Sequence, residues 1–287
     1  MLGEASAFRA LMGQLDKVTK SNGRVMLSGP AGSGKELAAR YIHANSARAS
    51  APFVTVGCAS IAPERMEEVL FGRESEESGV VPGLLEEANG GVIYFDEVAD
   101  MPMGTQSKIL RVLVDQTFLR VGGSTKIQVD LRVISSTSRD LEAEIAAERF
   151  RREVFHRLNV VPIAVPSLEE RREDIPALAE HFIAMFHRTQ GLALRSLSEE
   201  AAALLQTMRW PGNVRQLRNM IERVLILGEG QGPIAARELP SESSGPVDEG
   251  RVVLSGAIAT MPLREAREAF ERESLLTQIN RFGGNIS

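Results

Sequence analysis

The 287-residue chain is 43% hydrophobic and 25% charged, the make-up of a soluble globular protein with room for one large domain and a smaller one. No apolar run approaches the roughly 20 residues of a membrane span and no signal-peptide pattern opens the chain, which sets aside a membrane-spanning or secreted protein. The net charge of -5 excludes a surface that binds nucleic acid as a whole, so any DNA contact must come from a local element.

Cys58 is the single cysteine and cannot form an internal disulfide, which fits the reducing cytoplasm, the expected location. In chain order, residues 24–28 (RVMLS) form a short apolar run that leads into Gly29-Pro30-Ala31-Gly32-Ser33-Gly34-Lys35-Glu36. Leu37, Ala38, Tyr41 and Ile42 then recur at helical spacing, so the loop is framed by a strand and a helix. Further apolar runs at 53–56 (FVTV), 92–95 (VIYF), 131–134 (LRVI) and 160–165 (VVPIAV) read as strands. Between them, 105–116 predicts a helix whose buried face carries Ile109, Leu110, Leu113 and Val114. Strands alternating with helices predict a parallel sheet covered on both faces, an α/β core over 1–170.

Strand signals stop after about residue 170. The segments 173–189, 198–208 and 213–227 read as helices, the second capped by Ser198 and the third by Asn213, and together make a helical lid over 171–240. The Pro/Gly/Ser-rich stretch PSESSGPVDEGRVVLSG at 240–256 predicts a linker, placed at 241–261. A last amphipathic helix occupies about 263–281 of the segment 262–287, with Leu263, Ala266, Phe270 and Ile279 as its apolar stripe.

The loop nearly matches GxxxxGK[ST], with Glu36 where a magnesium-binding Ser or Thr is expected. Its backbone N–H groups, at the positive end of the following helix, suit phosphates, and Lys35 adds a full charge. An ordinary glycine turn is the plain alternative, and the strand–loop–helix context argues against it. The run VIYFDE supplies a second half: a buried strand delivering Asp96 and Glu97 to its C-terminal tip, the edge where open α/β sheets bind ligands. Acidic pairs at strand ends are often only solvated. After such a run, with a phosphate loop upstream, Asp96 is placed to hold Mg2+ and Glu97 to polarise a water attacking the γ-phosphate of ATP.

Together with RWPGNVRQLRN at 209–219 and RFRREVFHRLNVVPI at 149–163, these residues resemble the AAA+ module of bacterial enhancer-binding proteins, the NtrC family. The resemblance implies a P-loop core with a helical lid, ATP or ADP with Mg2+ as ligands, and Asp96 as the principal metal residue. It also accounts for Glu36, because the loop commonly reads GKE in that family. It implies Arg151 and Arg157 as arginine fingers acting on a neighbouring subunit's nucleotide, and Arg215 as the sensor II arginine. From the residues alone, Arg151, Arg152 and Arg157 would read as a solvated basic helix face. Arg215, a cation in the first turn of a helix, opposes the macrodipole and so calls for an anionic partner. The segment FERESLLTQINRFGGNIS resembles the start of a Fis-type helix-turn-helix without its recognition helix.

The chain departs from the family at three places. Where sigma-54 activators carry GAFTGA, it reads LFGRESEESGVVPGLLEEANGG, shorter and acidic at Glu74, Glu76 and Glu77. Gly57 stands where the family has the asparagine that restrains the catalytic glutamate, and Ser138 where it has the sensor I asparagine. All three belong to converting hydrolysis into force, whereas Lys35, Asp96 and Arg215 remain. The pattern resembles the NtrX branch, whose central domain lacks GAFTGA. That resemblance implies a receiver domain phosphorylated by a histidine kinase and DNA binding through the C-terminal domain; the expected assembly is a homo-oligomer, a dimer in preference to a hexamer. The alternative is an ATP-hydrolysing sigma-54 activator with a divergent loop.

Overall fold

The computed structural model describes residues 1–75, 79–228 and 232–240. The chain forms one compact unit over Met1–Pro240 and a second over Ser241–Ser287. The expected linker, the helix-turn-helix start with its Phe270 stripe, and Glu76 and Glu77 lie outside the described residues.

The first unit opens with α1 (Ser6–Thr19), β1 (Val25–Ser28), α2 (Lys35–Ala44), β2 (Phe53–Gly57) and α3 (Pro63–Phe71). It continues through β3 (Arg73–Ser75), β4 (Gly79–Val81), α4 (Leu84–Glu87), β5 (Val92–Asp96) and α5 (Met103–Asp115). There follow β6 (Thr117–Leu119), β7 (Lys126–Gln128), β8 (Arg132–Thr137), α6 (Leu141–Ala146), α7 (Arg152–Leu158) and β9 (Val161–Ala164). The lid helices are α8 (Ile175–Gln190), α9 (Glu199–Thr207) and α10 (Asn213–Leu227).

The five apolar runs read from the sequence are the five strands of one sheet, ordered β2-β5-β8-β1-β9, and every pairing is parallel. Its central strands β5 and β8 are buried without alternation because helices cover both faces. Val92, Ile93, Tyr94 and Phe95 of β5 are all buried, as is the whole of β8. Parallel pairing brings the C-terminal ends of the strands to one edge, and there the register sets Gly57 beside Asp96 and Ser28 beside Thr137. Two helix faces differ from expectation by about one position. On α2 the buried residues are Lys35, Ala38, Ala39 and Ile42, while Leu37 is 54% exposed. On α5 they include Ile109, Val112 and Leu113, while Val114 faces solvent.

Two short hairpins were not predicted. β3 pairs antiparallel with β4, and β6 with β7. They are joined to each other, because Glu74 N–H donates to Val121 O at 2.9 Å and Val121 N–H to Gly72 O at 2.9 Å. Arg120 reinforces the join from the side: Nε and Nη2 donate to Glu86 and Nη1 to Glu74. The strand that opens the segment replacing the family's contact loop, β3, is therefore tied to the second hairpin, and β4 pairs back onto it.

The lid has its own apolar core, in which Phe186, Leu205, Trp210, Leu217 and Ile221 are essentially inaccessible. Ser198 caps α9 as expected, accepting from Ala201 N–H at 3.1 Å. Asn213 is not a cap. It is 2% exposed, has φ of 50°, and turns its amide away from its own helix. A tail is latched beneath α9 and α10 by Arg195, whose two terminal nitrogens lie 2.8 and 2.9 Å from the Glu238 carboxylate. Among the described residues, no helix is long and apolar enough to cross a membrane.

Candidate functional site

The turn from β1 into α2 crosses the C-terminal edge of the sheet. Gly34, at φ 106°, lets the chain enter α2 in a conformation an L side chain resists, with open space around its Cα. Gly32 answers to proximity: a Cβ there would lie 2.3 Å from Gly212 O of the lid. Lys35, the first residue of α2 and 6% exposed, folds back to donate to Gly29 O at 2.9 Å and Pro30 O at 3.3 Å. Its Nζ also lies 3.0 Å from Glu97 Oε1.

Glu97 follows β5 directly in the left-handed region, at φ 53°. Its second oxygen, Oε2, accepts from Ser138 N–H at 2.7 Å and Ser138 Oγ–H at 2.8 Å. Burial alone would raise the Glu97 pKa, but the hydrogen bonds from Lys35 and Ser138 outweigh it and hold the carboxyl below its ordinary value. Asp96 is fixed by Tyr94 Oη–H at 2.8 Å and Ser136 Oγ–H at 2.7 Å, both donating to Oδ1. Burial, countered by the Ser136 bond and reinforced by Asp96, pushes the Tyr94 phenol up, so it stays a donor. Beneath the site, burial followed by Asp96, Asp100 and Glu97 pushes the Cys58 thiol up to about 12, so the single cysteine is inert.

A cavity of about 810 Å³ runs from this edge to the lid, lined by Ala31 to Leu37, Asp96, Glu97 and Ser138 on one side and by Arg215 and Arg218 on the other. Its far end is apolar, with Phe8, Leu11, Val165, Leu178 and Phe182, and Arg171 lies over the Phe8 ring at 4.8 Å. The shape and chemistry fit a nucleotide. The loop offers backbone donors at a helix N-terminus, Lys35 offers a buried cation, and Ser33 Oγ is buried with no hydrogen-bond partner among the described residues. A divalent ion would find Asp96 and Glu97 at the same edge but no group of three protein ligands among the described residues, so phosphate and water would complete its shell.

The cavity thus gathers Ala31, Gly32, Ser33, Gly34, Lys35, Glu36, Asp96, Glu97 and Arg215 from the sequence-derived set; Gly29 and Pro30 approach Lys35 behind it. Glu36 spends its carboxylate on Arg40, 2.7 Å away on the surface of α2. Arg151 and Arg157 do not line the cavity. Arg151 is turned onto α5, its N–H donating to Gln106 Oε1 at 2.8 Å, and Arg157 is exposed on α7. Sequence reasoning missed Arg218, though its spacing of three from Arg215 places it on the same face of α10. It missed Arg171 and Asn213 as well, and for these no local signal exists.

The chain belongs to the Sigma-54 interaction domain family, whose model matches residues 1–164, and a AAA+ ATPase lid domain matches 169–251. It is 53% identical to the nitrogen assimilation regulatory protein NtrX of Azorhizobium caulinodans, over 100% of this chain and 64% of that protein. Response regulator protein PilR of Pseudomonas aeruginosa is 42% identical over 89% of this chain and 58% of its own length. Among solved structures, NtrX from Brucella abortus in complex with ATP matches at a TM-score of 0.81 and 51% identity, covering 99% of this chain and 64% of that one. The same protein in complex with ADP matches at 0.82 and 51%, covering 100% and 64%. The chain spans just under two thirds of the length of these NtrX proteins. Its fold is the P-loop AAA+ fold with a helical lid, and its NtrX and NtrC relatives are regulators of transcription and nitrogen assimilation by name.

Proposed function

We propose that this chain is the nucleotide-binding central module of an NtrX-like two-component response regulator, one that controls transcription through DNA binding and does not remodel sigma-54 polymerase. In this reading 1–170 is the AAA+ core, 171–240 the lid, 241–261 a linker, and 262–287 belongs to a Fis-type DNA-binding domain. The partners are the protein's own receiver domain, a histidine kinase, DNA, and a second copy in a homodimer; the location is the cytoplasm, away from membranes.

ATP or ADP, with Mg2+, supplies the charge and the phosphate chain that the cavity is built around. Lys35 and the loop N–H groups bind it, Arg215 closes on it from the lid, and Asp96 orients the metal. Glu97 is the general base in position, but Lys35 and Ser138 occupy both of its oxygens. Arg151 and Arg157 are assigned to a neighbour's site, and a dimer offers them no route there, so hydrolysis is slow.

The observation that carries this reading is the anchoring of the residues before and after 76–78: Gly72 and Glu74 are bonded to Val121, and Arg120 grips Glu74 and Glu86. The test is direct. The protein should bind ATP by calorimetry and form no open complex with sigma-54 polymerase on a sigma-54 promoter. The alternative, an ATP-hydrolysing sigma-54 activator, draws support from the retained Glu97, and ATP-dependent open complexes would establish it instead.

A further inference from the structure

The Asn213 side chain touches three parts of the protein. Its Nδ2 donates to Ala31 O in the phosphate loop at 2.9 Å and to Pro211 O at 3.4 Å. Its Oδ1 accepts from Leu168 N–H at 2.8 Å, where the core passes into the lid. Beside it, Arg215 N–H reaches Gly32 O at 3.4 Å, and Gly212 O occupies the space a side chain on Gly32 would need. The lid helix thus grips two successive carbonyls of the phosphate loop.

Those carbonyls are one side of a lever. A planar trans peptide points its C=O and its N–H in opposite directions. The Ala31 carbonyl belongs to the same peptide unit as the Gly32 N–H. Holding that carbonyl toward the lid therefore turns the Gly32 N–H away from it, as a fixed donor of the loop. Conversely, a phosphate that engages and reorients that N–H must rotate the Ala31 carbonyl. Asn213 is buried, so losing its partners would strand a donor without compensation from water. The lid has to follow the loop.

We propose that Asn213 is a positioning residue for the phosphate loop, through which nucleotide binding and lid docking depend on each other. The inference rests on nucleotide binding at this cavity, as proposed above. Coupling of this kind is reciprocal: nucleotide steadies the lid, and a docked lid raises nucleotide affinity by the same factor. Whatever the lid then contacts in the longer protein is informed of nucleotide state without hydrolysis.

The test uses ATP and the chain 1–287, with hydrogen–deuterium exchange read at α9 and at 168–175, and the fluorescence of Trp210, the single tryptophan, as a second report from the lid. Asn213→Asp keeps an acceptor for Leu168 N–H and loses the donor to Ala31 O. Asn213→Gly accepts the left-handed backbone and removes both arms. In the wild type, ATP should slow exchange in α9, which lies outside the cavity. Both variants should keep the folded circular dichroism spectrum, bind ATP roughly 2- to 10-fold more weakly, and lose the ATP-dependent slowing in α9. Wild-type affinity and slowing in Asn213→Asp would overturn the proposal, as would a wild type that binds ATP with no change in the lid. If one variant fails to fold, the other and the wild-type comparison decide. A wild type that binds no ATP would instead bring down the nucleotide reading, and this inference with it.

Discussion

Lys35 Nζ lies 3.0 Å from Glu97 Oε1, so the cation of the phosphate loop is held by the carboxylate proposed as the general base. Each group neutralises the other, and binding a phosphate requires Lys35 to exchange partners. Lys35→Ala should weaken ATP binding roughly 10- to 100-fold, since a hydrogen bond to a charged group is worth about 1.5–3 kcal/mol. Glu97→Gln should act oppositely, tightening ATP by releasing the lysine. Isothermal titration of both variants checks this, and an unchanged affinity in Lys35→Ala would show the loop to be a structural turn.

Hydrolysis should be slow. Gly57 sits beside Asp96 in the register but has no side chain to take hold of Glu97, and Ser138 fills the role with both its N–H and its hydroxyl. Turnover well below about 1 s⁻¹, the lower end of ordinary enzymes, is expected in a phosphate-release assay. Arg151→Ala and Arg157→Ala should leave ATP affinity unchanged, because neither residue lines the cavity of its own chain. Steady turnover at 10 s⁻¹ or so would contradict the reading of a silent site.

Arg120→Ala should loosen the two hairpins without disturbing the sheet. Its guanidinium is the one side-chain bridge between Glu74 and Glu86 among the described residues, and two backbone bonds to Val121 would remain. Faster amide exchange at 73–75 and 79–81, with ATP affinity unchanged, is the expected result. Exchange indistinguishable from wild type would mean that the backbone bonds alone fix the segment.

Glu238 offers a pH test of the lid. Hydrogen bonds from Arg195 and then from Ala235 N–H hold its carboxyl at about 2, against 4.5 for an unperturbed Glu. Between those values the unfolded chain binds a proton that the folded chain does not, so folding is favoured at higher pH. The latch contributes in full above about pH 4.5 and is lost as pH falls toward 2. The stability difference between wild type and Glu238→Gln, followed by denaturant titration, should shrink steadily across that window. A difference independent of pH would rule out the latch.

Much of the site was legible in the residues. GPAGSGKE after an apolar run, VIYFDE, and the helical stretch with Arg215 encode local structure, and parallel pairing then brings their ends to one edge. The short hairpins were not legible, because three-residue strands carry too little periodicity and are held by contacts with Val121 and Arg120. The faces of α2 and α5 shifted by a residue because tertiary packing, not the apolar count, decides which side is covered; Leu37 is exposed on the helix face that lines the cavity.

What the sequence by itself determined is the inventory: a phosphate loop, two carboxylates at a strand tip, a helical lid and the loss of GAFTGA. Each is written in neighbouring residues and so follows from local propensity and spacing. What only the tertiary structure decided is pairing across distance: Lys35 with Glu97, Glu97 with Ser138, and Asn213 with Ala31, 182 positions away. An asparagine at the start of a helix reads as a cap because capping is the nearest use for its amide. Folding the lid onto the phosphate loop offered it buried partners instead, and a buried amide keeps the partners that leave neither of its ends unpaired.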